Sequence, residues 1–144
     1  MSQNEAPAPL SPAQIDDLRQ RALAVAAKAY APYSTFRVGA AILLEDGTVT
    51  TGCNIENASY RLTTCAEQSA IAAAVALQGP TARIRAVVIV NLNQAASPPC
   101  GGCRQTIFEF SSPRTEVFFP AAAGSQIRST IAELLPHAFL LEEQ

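Results

Sequence analysis

Among its 144 residues this chain has no tryptophan, one methionine and one histidine, and only 15% of it is charged. So little charge excludes a disordered, solvated chain and indicates a compact globular one. The basic residues never form a run. Arg19 and Arg21, or Arg83 and Arg85, are too few to neutralise several phosphates at once, and the net charge is −2. Nucleic acid is therefore excluded as substrate or partner. No apolar run reaches the ~18–20 residues that span a bilayer, which argues against a membrane protein. Residues 1–9 lack the basic start and apolar stretch of a secretory signal. These absences point to the cytoplasm, where thiols stay reduced and are metal ligands more often than disulfide partners. The lone histidine, His137, lies far in sequence from every motif described below and reads as a surface residue, not a catalytic one.

What the chain does have is apolar surface, 49% of its residues, and much of it is alanine. Its core must then be built from small side chains, and small side chains on surface helices allow close helix–helix contact, which favours an oligomer. The length suits one domain with a real core. Residues 1–10, with Ser2, Gln3, Asn4 and an Ala-Pro alternation, read as a short disordered lead, and residues 11–144 as a single domain without repeats or linkers.

Ser11-Pro12-Ala13-Gln14 predicts a capped helix start. Ile15, Leu18, Ala22, Val25, Ala26 and Ala29 recur at helical spacing, and Pro32 is the expected stop. A strand is predicted over 36–44, a turn at Glu45-Asp46-Gly47, and a partner strand over 48–55. Residues 66–77 read as a helix closed by Gly79-Pro80, and 84–90 as a β-branched strand buried on both faces. A helix over 100–110, a strand over 116–119 and a short helix over 130–135 complete the pattern. Strands and helices alternating in this way give an α/β fold with its sheet covered on both faces.

Two motifs carry chemistry: Thr64-Cys65-Ala66-Glu67-Gln68 and Pro99-Cys100-Gly101-Gly102-Cys103-Arg104-Gln105. Cys100 and Cys103 are three apart at a helix start, so their sulfurs share a side. Cys65 opens another helix, and both helix N-termini favour the thiolate form. Three protein ligands leave a tetrahedral zinc one position for water, and Glu67 stands where it can move that water's protons. A thioredoxin-type pair at Cys100 and Cys103 would leave Cys65 and Glu67 without a role. A closed structural site would need Cys53 as fourth ligand, but Cys53 reads better as a buried strand residue. Inert buried thiols would not explain the spacing.

The chain resembles the short, cysteine-only cytidine deaminases of pyrimidine salvage, from residue 30 through residue 139. The matching blocks are Tyr30-Ala31-Pro32-Tyr33-Ser34, Phe36-Arg37-Val38-Gly39-Ala40-Ala41, Gly52-Cys53-Asn54-Ile55-Glu56-Asn57-Ala58-Ser59-Tyr60 and both cysteine motifs. The resemblance implies a three-layer α/β/α sandwich around a mixed five-stranded sheet, assembled as a homotetramer with shared active sites. It implies one zinc per subunit on Cys65, Cys100 and Cys103, and Glu67 as the proton carrier in hydrolytic deamination of cytidine and 2′-deoxycytidine. It also implies that Asn54 and Glu56 hold the ribose, Phe36 packs on the nucleoside, and the Ala66 N–H meets the base carbonyl. Tyr60 and Phe139 match positions that reach a neighbouring subunit's pocket.

Three residues depart from the family pattern. Gln68 stands where an arginine usually supports the zinc thiolates, which implies a retuned site. Pro98 replaces a common serine and Gly102 a larger residue, which implies room for N4-substituted cytidines. Two rivals follow: a deaminase of aminopyrimidine-nucleoside antibiotics, against which the Asn54-Ile55-Glu56-Asn57 block argues, and a silent zinc-stabilised binding module, against which Glu67 argues.

Overall fold

The computed structural model describes residues 8–141. Helix α1, Pro12–Ala26, starts as its sequence dictates. The Ser11 hydroxyl accepts from the Gln14 N–H at 3.2 Å, the Gln14 side chain accepts from the Ser11 N–H at 2.9 Å, and proline fills the first turn. The helix ends at Ala26 and does not run on to Pro32. Tyr30 is pulled out of helical geometry by pairing with the end of the hairpin. Its N–H donates to the Asn54 carbonyl at 3.0 Å, and its own carbonyl accepts from the Glu56 N–H at 2.8 Å. Of the expected lead, residues 1–7 lie outside the described residues. Residues 8–10 hold to the fold: Arg85 donates to the Ala8 carbonyl at 2.9 Å, and Leu10 is buried in the core.

Strands β1, Val38–Leu44, and β2, Val49–Cys53, form the expected antiparallel hairpin around Gly47. Strand β3, Ile84–Asn91, lies at the centre, antiparallel to β1 and parallel to β4, Ser111–Pro120. Strand β5, Gln126–Thr130, adds antiparallel to β4, giving the order β2-β1-β3-β4-β5 and a mixed five-stranded sheet. No element was expected at β5. It is an outer strand with a single large apolar residue, Ile127, so it lacks the alternation that marks a half-buried strand. The first residues of β4 escaped for the same reason: Ser112, Pro113 and Arg114 are exposed.

Residues along β1 alternate between two cores. Ala41 and Leu43 face α1 together with Val88, Val90 and Phe118. Ala40, Ile42 and Leu44 face the opposite layer, with α2, Ala66–Gln78, α3, Gly101–Glu109, and α4, Ile131–Leu134. The result is a three-layer α/β/α sandwich. Two glycines let the layers meet. A Cβ on Gly39 would stand 2.0 Å from the Ala22 carbonyl oxygen, and one on Gly52 would stand 2.3 Å from the Ala70 nitrogen. The alanine-rich face of α2, with Ala66, Ala70 and Ala74 buried, completes this close approach. Because α2 rests directly on β2, its first turn is fixed relative to the end of the hairpin.

Candidate active site

Cys65 and Cys100 are the N-cap residues of α2 and α3, each with extended backbone, and Cys103 lies in the first turn of α3. The Cys100 sulfur accepts from the Cys103 N–H at 3.4 Å. The three sulfurs all lie within 4.8 Å of one another. Zinc–sulfur bonds of about 2.3 Å at tetrahedral angles would set them about 3.8 Å apart, so a small contraction suffices for zinc. Two helix N-termini meet at the cluster and offset its negative charge. The donor set, soft thiolates in a positive backbone environment, fits zinc. One thiol is ready to ionise: Cys65 is brought down to about 7, chiefly because Cys103 hydrogen-bonds to it, while burial and the Glu67 charge oppose. Cys103 is pushed up, first by that same bond with Cys65 and then by burial.

Cys65, Ala66, Glu67, Cys100 and Asn54 line one cavity of about 190 Å³. Val38 and Ile89 close one side, and the Ser97-Pro98-Pro99 segment another. Glu67 is only 5% exposed, and burial is the main cause that raises its pKa. A carboxyl so placed holds its proton at higher pH than a solvated one, which suits a group that must both take and give protons.

Among the described residues the Gln68 side chain donates no hydrogen bond to the sulfurs; only its backbone N–H meets that of Cys65. Gln68 is the third residue of α2, and its side-chain oxygen accepts from the Cys65 N–H at 3.4 Å, closing a capping box with the Cys65 side chain. It therefore orients the ligand residue through the backbone.

Asn54 is buried, and its amide is committed in both directions: Oδ1 accepts from the Val38 N–H at 2.9 Å, and Nδ2 donates to the Phe36 carbonyl at 2.8 Å. It fixes the start of β1 and leaves one N–H for another partner. Glu56 points elsewhere. Its carboxylate accepts from the backbone N–H groups of Tyr33 and Ser34 at 2.9 and 3.2 Å and from the Ser34 hydroxyl at 2.5 Å. The Ser34 hydroxyl chiefly, with both N–H groups, holds the Glu56 pKa below 4.5. Ser34 Oγ also accepts from the Phe36 N–H at 3.0 Å, so this turn sets Phe36, which is half-buried outside the cavity wall.

Tyr60 and Phe139 are 76% and 71% exposed, and neither lines the cavity of its own chain. Tyr60 meets the Tyr33 ring edge-on, with centroids 6.1 Å apart. His137 is exposed, as its isolation in sequence implied. Sequence reasoning gave no role to Arg104 beyond quoting it in the motif. It donates from Nε to the Pro99 carbonyl at 2.8 Å and from Nη1 to the Leu134 carbonyl at 3.0 Å. Its only sequence signal was an arginine directly after a ligand.

Comparison with known proteins identifies the family. The family model for the cytidine and deoxycytidylate deaminase zinc-binding region matches residues 12–119. The chain is 43% identical to the cytidine deaminase of Sporosarcina psychrophila over 81% of its length and 84% of that protein. With the cytidine deaminase of Halalkalibacterium halodurans the identity is 44%, over 80% and 86%. The crystal structure of cytidine deaminase from Burkholderia pseudomallei superposes with a TM-score of 0.78 at 41% identity, covering 86% of this chain and 98% of that one. The family model covers most of the chain and these relatives are more than 40% identical over most of its length, so the chain belongs to the cytidine and deoxycytidylate deaminase family.

Proposed function

We propose that this protein is a zinc-dependent cytidine deaminase, hydrolysing cytidine and 2′-deoxycytidine to the uridine nucleosides and ammonia. One observation carries the reading: a buried glutamate lines one cavity with Cys65 and Cys100, and their sulfurs cluster with that of Cys103. Cys65, Cys100 and Cys103 would hold zinc, which supplies the Lewis acidity that makes a water nucleophilic at neutral pH. Glu67 takes a proton from that water as its oxygen bonds to C4 of the pyrimidine, and gives one to ring N3. It then takes the remaining proton from the hydroxyl on C4 and gives it to the amine, the C4–N4 bond breaks as the C4 carbonyl forms, and ammonia leaves. A carboxyl with a raised pKa can cycle between its two forms in this way. The Ala66 N–H, at the N-terminus of α2, would meet the base carbonyl. Asn54 has one N–H left for the sugar.

The cavity of one chain is about 190 Å³, below the ~300 Å³ at which small-molecule pockets begin. Its expected aromatic contacts, Tyr60 and Phe139, stand exposed, as do the large apolar side chains of Tyr30, Tyr33, Leu62, Leu140 and Leu141. Exposed apolar surface of this kind marks an interaction face. We read it as the face of a homotetramer whose neighbours complete each site, with Glu56 turned to the ribose on assembly. Free cysteines throughout the described residues fit a cytoplasmic enzyme, and no helix there is long and apolar enough to cross a membrane. A zinc site that only braced the fold would leave the buried acid unexplained.

Ultraviolet absorbance of cytidine incubated with the zinc-loaded protein tests this. Conversion to uridine that stops on metal removal is expected; cytidine left unchanged would remove the reading. N4-methylcytidine in the same assay tests the room beside Pro98, with slow conversion expected and full resistance opposing it.

A further inference from the structure

Helix α3 continues directly from the third ligand, Cys103, into Arg104 and Gln105, and both reach towards the end of the chain. Arg104 spans from the Pro99 carbonyl, beside Cys100, to the Leu134 carbonyl in α4. Carbonyls at a helix end lack partners within the helix, so a guanidinium there is held by charge-assisted bonds. Gln105 reaches further: its Nε2 donates to the Phe139 carbonyl at 3.0 Å. Among the described residues this is the one hydrogen bond made by residues 136–141. The segment has no regular secondary structure and contains Pro136, which has no N–H to offer.

We propose that Gln105 is a positioning residue: it tethers the C-terminal segment to the ligand-bearing helix and so sets where the Phe139 ring is presented. The tether acts on the main chain. The ring remains 71% exposed and takes no part in the bond, so tether and ring can be removed separately. Without the tether, residues 136–141 must be ordered at the moment the ring is used, and that entropy appears as weaker substrate binding. The inference rests on Phe139 completing a neighbouring copy's site.

Four variants of the whole protein test it. Gln105→Glu keeps the shape but loses the donor, and should raise KM for cytidine about fivefold, the worth of one hydrogen bond. Its kcat and its bound zinc should stay unchanged. Gln105→Lys, which can donate to the same carbonyl, should return KM to near the wild-type value. Phe139→Ala should raise KM by itself, and adding Gln105→Glu to it should have no further effect, because the tether then presents nothing. A wild-type KM in Gln105→Glu, or an increase that adds in full to that of Phe139→Ala, would overturn the proposal. An unchanged KM in Phe139→Ala would overturn the shared-site reading and this proposal with it, while leaving the deaminase reading intact. Failure of the wild type to convert cytidine is the separate outcome that removes the reaction itself.

Discussion

The cavity has a floor, the proposed site adds a rim outside it, and each carries a glutamate in an opposite environment. On the floor, Glu67 is buried beside the thiols and its pKa is raised, chiefly by burial. At the rim, Glu56 accepts three hydrogen bonds from Tyr33 and Ser34 and its pKa is lowered, chiefly by the Ser34 hydroxyl. The floor is finished within one chain: two helix caps, a capping box at Gln68 and the Arg104 bridge fix the ligand residues through the backbone. The rim is not. Tyr60 and Phe139 stand exposed, and Glu56 is occupied by a turn. On the proposed reading, the difference separates proton transfer, which needs a dry preorganised group, from substrate holding, which a neighbouring copy would complete.

The largest effect should come from breaking the floor. Cys103→Ser should lose bound zinc and lower turnover by more than about four orders of magnitude, because the water loses the activation that the metal supplies. Metal analysis alongside the cytidine assay checks it. Gly52→Ala moves the floor as a unit. Its methyl would sit 2.3 Å from the Ala70 nitrogen, and α2 must shift, carrying Glu67 and the capping Cys65 with it. A destabilisation of about 1–3 kcal/mol is expected by denaturant titration, with a fall in kcat rather than in KM.

Gln68→Arg should have a smaller effect. It removes the acceptor for the Cys65 N–H, one hydrogen bond worth about 0.5–1.5 kcal/mol, but brings a cation to the thiolates. The Gln68 amide nitrogen is 4.0 Å from the position a Gly102 Cβ would take, so Gly102 sets no side chain against residue 68. Slower zinc release to a chelator is expected, with a shifted pH profile; no change in either would mean that the residue at 68 does not tune the metal. The rim gives the smallest effect, and it has a definite sign. Glu56 has a lowered pKa, so the stability it adds over Glu56→Gln is fully present above pH 4.5 and is lost as pH falls through its folded value. Melting curves of the two proteins should differ at neutral pH and converge in acid.

Much of the floor was legible in the sequence because its parts are local. Cys65 and Glu67 share one helix start, Cys100 and Cys103 another, and the strong β3 run between them fixes the sheet. The rim was legible only as single residues. Whether Asn54 reaches the cavity and Glu56 does not depends on where β2 ends and on the turn at Ser34, neither of which leaves a pattern in spacing. Outer strand β5 was missed because exposed strands need not alternate, and the end of α1 because Tyr30 is claimed by a pairing partner more than twenty residues on.

Glu67→Gln tests the floor most directly, because it keeps the size of the side chain and removes only its ability to carry a proton. Zinc content and cytidine turnover should be measured on one preparation. Bound zinc equal to the wild type with kcat reduced by about 10²–10⁴-fold is the predicted result. Turnover at the wild-type rate with zinc in place would contradict it and take the proton-carrying role away from Glu67.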